Sequence, residues 1–257
     1  MNVRGRPVAF AKLGINELTC ERVRHEGAAL AELESAVSPP LVTPTVIDTG
    51  VWNGFDYFVM EPVEIGSAQM PRRDLRRQGS EALRSAFPVS ATALADAPWW
   101  TRVGAALESA ADSLEVARLR LAAERLRDRS GATVVELGAG HGDWSRWNMS
   151  ASGANLVVWD WERFAIDVPH GWDELHFAIG SHPQGVAAAL AGPERLVMAV
   201  FPELPRDSAA VLLATYLLQR GASYVADRQF EAGVRVGALG AWLLPALEDV
   251  VAWDDRS

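Results

Sequence analysis

A chain of 257 residues, 49% hydrophobic and 22% charged, has the composition of a soluble globular protein and the length for one large core or two smaller ones. Its formal net charge of -9 argues against the basic footprint of a general nucleic-acid binder, and its single cysteine, Cys20, excludes an internal disulfide and a cysteine-rich zinc site. Met1 to Gly14 lacks the apolar core of a signal peptide, and the longest apolar run, Ala209 to Leu218, is too short to cross a bilayer, so a cytoplasmic protein with no membrane or nucleic-acid partner is expected.

In chain order, Val8-Ala9-Phe10-Ala11-Lys12 reads as a strand that brings a lysine to its end, with Gly14 beginning the exit. Glu17 to Leu33 carries Leu18, Val23, Ala29, Leu30 and Leu33 among charged residues, a moderately amphipathic helix. Pro39-Pro40 and Pro44 then interrupt the chain. Thr45 to Thr49 and Tyr57 to Glu61 read as strands either side of a Trp52-Asn53-Gly54 turn. From Gly66 to Pro98 the composition shifts to Arg, Ser, Ala and Pro, and Arg72, Arg73, Arg76 and Arg77 read as a solvated helix face. Trp99 to about Arg129 is expected to form one long helix: Val103, Leu107, Ala110, Leu114, Ala117 and Leu121 recur at alternating four and three spacing on one stripe, and Gly131 supplies the stop.

His141-Gly142-Asp143-Trp144-Ser145-Arg146-Trp147-Asn148 follows, an H-G-D-x-x-x-x-N pattern, and then Asp160-Trp161-Glu162, a D-x-E. Phosphoryl transfer from ATP asks little covalent work of a protein; it needs a carboxylate beside the attacking hydroxyl and oxygen ligands for Mg²⁺ on the phosphates. Asp143, Asn148 and Asp160 supply those groups, and Mg²⁺, a hard ion, prefers oxygen ligands of this kind. Between them, Asn148 to Asn155 is built of turn formers that fit a hairpin better than a helix, and Leu156-Val157-Val158-Trp159 reads as a short strand delivering Asp160. The chain beyond Glu162, to Trp253, reads mainly as helices rich in Ala and Leu, with no internal repeat.

These motifs resemble the aminoglycoside phosphotransferase and choline kinase branch of the protein-kinase-like fold, which carries H-G-D where protein kinases carry H-R-D and D-x-E where they carry D-F-G. The resemblance implies an α+β, two-lobed protein-kinase-like fold, with residues 1–63 as a truncated small N-lobe sheet and 64–257 as a mainly helical C-lobe. It implies an enzyme, a phosphotransferase using ATP and Mg²⁺ on a hydroxyl of a small molecule. Asp143 would be the catalytic carboxylate, Asn148 and Asp160 the metal ligands, and Lys12 the holder of the ATP phosphates. Glu26 would be the carboxylate behind Lys12, chosen over Glu21 because R-x-E-x-x-A-L from Arg24 to Leu30 matches the family helix. Backbone groups of Met60, Glu61 and Val63 would meet adenine. His141 is expected to support the loop, Asp173 to brace it from below, and Glu162 to reach the second shell of the metal. Trp144, Trp147, Trp161 and Trp172 are more expected as core than as ligand contacts. The family's glycine-rich phosphate cover is not expected from Met1 to Pro7, which can supply at most part of one strand, so either the true start lies upstream of Met1 or the cover is lacking. In the second case a non-catalytic kinase-like protein is one alternative.

The other alternative reads Val134 to Gly142, VVELGAGHG, as the first motif of S-adenosylmethionine-dependent methyltransferases, with Asp160 as the acid at the end of the second strand. That reading requires a helix after the glycine-rich turn, and it counts Leu196 to Phe201 as a further strand.

Overall fold

The computed structural model describes residues 7–63, 70–182, 185–226 and 242–252. The sequence expectations for Met1 to Arg6, Glu64 to Gln69 and Trp253 lie outside them. The chain forms two compact units, Met1–Val89 with Gly138–Ile166 and Ser90–Leu137 with Asp167–Ser257. This partition differs from a cut after Val63, because the segment carrying H-G-D and D-x-E packs with the N-terminal residues.

The first unit begins with strand β1 (Phe10–Leu13) and helix α1 (Glu17–Ala36). Gly14 makes the tight link, since a Cβ there would lie 2.4 Å from the Cys20 Cα. Asn16 and Thr19 close a reciprocal cap on the first turn of α1, so the helix starts where its orphan N–H groups find oxygen. Strands β2 (Leu41–Val42), β3 (Val46–Trp52) and β4 (Phe55–Met60) follow, then helix α2 (Arg73–Ala86). Asn53 and Gly54, both at positive φ, turn β3 into β4; positive φ at both central residues is what a tight hairpin demands. The sheet order is β1-β4-β3, antiparallel, with Lys12 opposite Phe58 and Phe10 opposite Met60. Helix α1 lies on it, with Gly27 facing Phe58 and Thr49, and Phe58 is fully buried.

Strand β5 (Ser90–Ala93), helices α3 (Pro98–Ser109) and α4 (Leu114–Ser130), and strand β6 (Val134–Gly140) come next. The expected single helix from Trp99 to Arg129 is thus two. Ser113 takes extended backbone and its hydroxyl accepts from the Val116 N–H, starting a new helix in the middle of the apolar stripe. The expected stripe does not continue across the break: α3 buries Val103 and Leu107, whereas α4 exposes Leu114, Ala117 and Leu121 and buries Val116, Leu119, Ala122 and Leu126 instead.

Strands β7 (Met149–Ser152) and β8 (Asn155–Val158) form the expected hairpin about Gly153, and β8 pairs in parallel with β2. Between β6 and β7 there is no helix, and β6 pairs antiparallel with β5. The methyltransferase reading fails on this point, for a Rossmann unit needs a crossover helix after the glycine-rich turn.

Strand β9 (Ala165–Pro169) completes the order β5-β6-β9. Helices α5 (Trp172–Gly180), α6 (Val186–Leu190), α7 (Pro193–Val200), α8 (Arg206–Ala226) and α9 (Leu244–Val251) end the described chain. The Leu196 to Phe201 run counted as a strand is helical in α7, except for Phe201 at its cap. The apolar run from Ala209 sits inside α8 and is core: Leu213, Leu217 and Leu218 are fully buried against α3, α4 and α9. Among the described residues no helix is long and apolar enough to cross a membrane.

Candidate functional site

The site residues proposed from sequence meet in two groups, both within the first compact unit. One is the loop between β6 and β7. His141 is fully buried; its Nε2 donates to the Trp159 carbonyl at 3.0 Å, and its Nδ1 accepts from the Asp143 N–H at 3.1 Å. These two bonds require the neutral ring with its proton on Nε2, so His141 is a loop support and holds no free base. Asn148, only 7% exposed, donates from Nδ2 to both the Asp143 carbonyl at 3.0 Å and the Asp143 Oδ2 at 2.9 Å. The amide nitrogen is therefore spent on Asp143, and the amide oxygen is what remains for a cation. The Trp159 N–H donates to the Asn148 carbonyl at 3.0 Å, which sets Asn148 beside the residue preceding Asp160.

Gly142 explains the middle letter of H-G-D. It sits at φ +78, and a Cβ there would fall 2.6 Å from the Arg163 carbonyl oxygen. Only glycine allows the turn that follows Asp160 to pack against the residue preceding Asp143.

The second group is ionic. Lys12 Nζ lies 2.6 Å from Glu26 Oε2 and 2.5 Å from Asp160 Oδ1. Glu26 is 1% exposed and its other oxygen accepts from the Trp161 N–H at 3.3 Å, whereas Glu21 is exposed, so the helix face selects Glu26 as the sequence reading did. Burial alone would lower the Lys12 pKa, but Glu26 and then Asp160 outweigh it and hold the ammonium above its ordinary value. Burial pushes the Glu26 carboxyl above its ordinary value, and the opposing pull of Lys12 only partly offsets it. Asp160 stands at φ +69, a left-handed conformation that costs about 1 kcal/mol outside glycine and that aspartate accepts better than most residues.

Met60 ends β4 between Phe10 and Val46. The Glu61 N–H donates to the Thr45 carbonyl at 2.9 Å, leaving the Glu61 carbonyl and the half-exposed Val63 outside the strand ladder. Trp144 and Trp161 are core, packed on the His141 ring with centroids 5.8 and 4.5 Å away, and Trp172 is core as well. Trp147 is 69% exposed with the Arg146 guanidinium 4.0 Å from its ring centroid. Glu162, expected to reach the second shell of a metal, pairs with Arg22 at 2.7 Å. Asp173 is buried in the first turn of α5.

Arg22 was not singled out from sequence, although it lies one helical turn before Glu26 and so shares its face. Among the described residues no group of three or more His, Cys, Asp or Glu side chains could hold a metal ion. Asp160 and Asn148 suit a cation that completes its shell with phosphate and water oxygens, as Mg²⁺ does.

No family model and no curated protein sequence matches the chain. Solved structures do. A thermostable variant of the aminoglycoside phosphotransferase APH(4)-Ia, in apo form, matches with TM-score 0.64 at 14% identity, over 97% of this chain and 88% of that one. Aminoglycoside 2'-phosphotransferase-IIIa, in its GDP complex, matches with TM-score 0.53 at 17% identity, over 93% and 85%. A choline/ethanolamine kinase family protein from Mesorhizobium loti matches with TM-score 0.50 at 16% identity, over 94% and 81%. The chain thus has the protein-kinase-like fold that these proteins share.

Proposed function

We propose that this chain is a phosphotransferase that uses Mg-ATP to phosphorylate a hydroxyl of a small molecule. The observation that carries the reading is the pairing of Asp143 with Asn148 on one loop beside the Lys12, Glu26 and Asp160 cluster. A lysine shared by two carboxylates and a loop aspartate held by an asparagine are the parts phosphoryl transfer requires. Structures with this fold include an APH(4)-Ia variant in a ternary complex with AMP-PNP and hygromycin B, matched with TM-score 0.62 at 16% identity, which supports ATP as donor and a small molecule as acceptor.

Asp143 would receive the proton of the attacking hydroxyl, its carboxylate oriented by Asn148 and its backbone by His141. Lys12 would neutralise phosphate oxygens, with Glu26 fixing the ammonium from behind. Asn148 Oδ1 and Asp160 would hold Mg²⁺, which supplies charge stabilisation on the transferring phosphoryl group. Because Asp160 Oδ1 already touches Lys12, a cation there competes with the ammonium, and the pair must loosen as nucleotide binds. The Glu61 carbonyl and Val63, beside Met60, would meet the adenine edge.

The test is turnover of a panel of hydroxyl compounds with Mg-ATP, together with thermal denaturation of the purified chain in Mg-ADP. Asp143→Asn should reduce turnover at least a hundredfold, the scale of a positioned general base, while leaving the Mg-ADP shift of the midpoint intact. Asp160→Ala should abolish that shift. Retained turnover in Asp143→Asn, or an unchanged shift in Asp160→Ala, would remove these roles.

A further inference from the structure

Helix α1 does more than carry Glu26. Arg22, Glu26 and His25 sit at helical spacings of three and four, and all three reach the segment that follows Asp160. Arg22 Nη1 donates to Glu162 Oε1 at 2.7 Å, Glu26 accepts from the Trp161 N–H, and His25 Nε2 donates to the Phe164 carbonyl at 2.8 Å. The segment is a tight turn, with the Phe164 N–H bonded to the Trp161 carbonyl at 3.1 Å and the Trp161 ring fully buried. It begins with Asp160 in a left-handed conformation, and its Arg163 carbonyl abuts the bare α-carbon of Gly142. A strained residue persists only where its surroundings over-determine it. Arg22 brings a charged contact from α1 onto this turn, and both partners are shielded, with side chains 19% and 30% exposed.

We propose that Arg22 is a positioning residue: by holding Glu162 it braces the turn from Asp160 to Phe164, and so fixes the Asp160 carboxylate and the approach of Arg163 to Gly142 beside Asp143. The inference rests on the phosphotransferase reading for its consequence and on the ion pair for its geometry. It gives Glu162 the task of a tether to α1 in place of the expected contact with the metal shell. Loss of outer partners that orient metal ligands typically costs roughly ten- to a hundredfold in metal affinity or activity.

The experiment titrates Mg²⁺ at fixed ADP and reads the Mg²⁺ concentration that half-saturates the rise in thermal midpoint, for the wild type, Arg22→Met, Arg22→Lys, Glu162→Gln and the Arg22→Met/Glu162→Gln double variant. Arg22→Met keeps the packing of the stem and removes the charge. Arg22→Met and Glu162→Gln should each raise the half-saturating concentration roughly tenfold, with Arg22→Lys restoring most of it. The double variant should be no worse than either single one, since both remove the same contact. An unchanged value in Arg22→Met overturns the proposal, as does a double variant in which the two losses add. A loss in Glu162→Gln alone would mean that Glu162 acts on the cation directly. Amide hydrogen exchange without ligand supplies an independent reading. In Arg22→Met it should quicken across 160–164 and stay unchanged in α4 and α8; equal exchange in both proteins overturns the brace whatever nucleotide does. A wild type unmoved by ADP at any Mg²⁺ concentration would instead overturn the phosphotransferase reading, and with it the bearing of Arg22 on a cation.

Discussion

At the scale of single residues, Glu26 is a polar position where removing a few atoms should be costly. Its carboxylate is buried, meets the Lys12 ammonium at 2.6 Å and accepts from the Trp161 N–H. Glu26→Ala strips both partners, leaving a buried N–H without an acceptor and an ammonium with one carboxylate. Orphaning a buried donor costs about 1–3 kcal/mol, and breaking a fully buried ion pair more. Lys12 is one-third exposed, so solvent recovers part of the ionic term. The expected loss is about 2 kcal/mol in denaturant unfolding, with Glu26→Gln milder because its amide oxygen still serves Trp161. Equal stability of wild type and Glu26→Ala would mean the cluster does not hold in solution. Glu26 and Asp143 stand out in the sequence through the spacing of the motifs that carry them, whereas Arg22 resembles any solvated helix arginine until Glu162, 140 positions away, is placed against it.

At the scale of elements, α4 and α9 are joined by Arg118 and Glu248, whose two parallel bonds are both 2.7 Å long. The hydrogen bonds from Arg118 hold the Glu248 carboxyl below its ordinary value, against the opposing effect of burial. A carboxylate with a depressed folded pKa contributes stability above the unfolded value, about 4.3 for Glu, and loses it as pH falls through the folded value. Both side chains are about one-third exposed, so the contribution is under about 1 kcal/mol. Glu248→Gln should therefore lower stability slightly at pH 7 and flatten the acid limb of the stability curve below about pH 4. A variant whose pH curve runs parallel to the wild type would show the pair to be idle. Element boundaries tell the same story of local against distant causes. Asn53-Gly54 announces its turn through backbone chemistry alone, while the break between α3 and α4 hid in an apolar spacing that fits one helix but whose second half, Leu114 and Leu121, the fold leaves exposed.

At the scale of the molecule, the residues proposed to hold nucleotide and metal all belong to the first compact unit, although they come from sequence positions as far apart as Lys12 and Asp160. A ligand that binds only the native state stabilises it by about 2.7 kcal/mol at a hundredfold excess over its Kd. Mg-ADP should accordingly slow amide exchange around Lys12, Glu26 and the loop from His141 to Asp160 more than in α8. Protection confined to α4, α8 and α9 would place the nucleotide elsewhere and defeat the assignment.

The sequence by itself determined the hairpin that delivers Asp160 and the helix face on which Glu26 meets Lys12. These follow from short-range causes: turn formers, strand alternation and helical spacing. Tertiary structure alone decided that the loop segment 138–166 packs with the N-terminal strands, that VVELGAG pairs antiparallel and serves no Rossmann turn, and that Glu162 is taken by Arg22. Those outcomes depend on which distant surfaces bury one another. A strand's own residues do not encode the direction of its partner, nor does a carboxylate encode which cation the fold will set beside it.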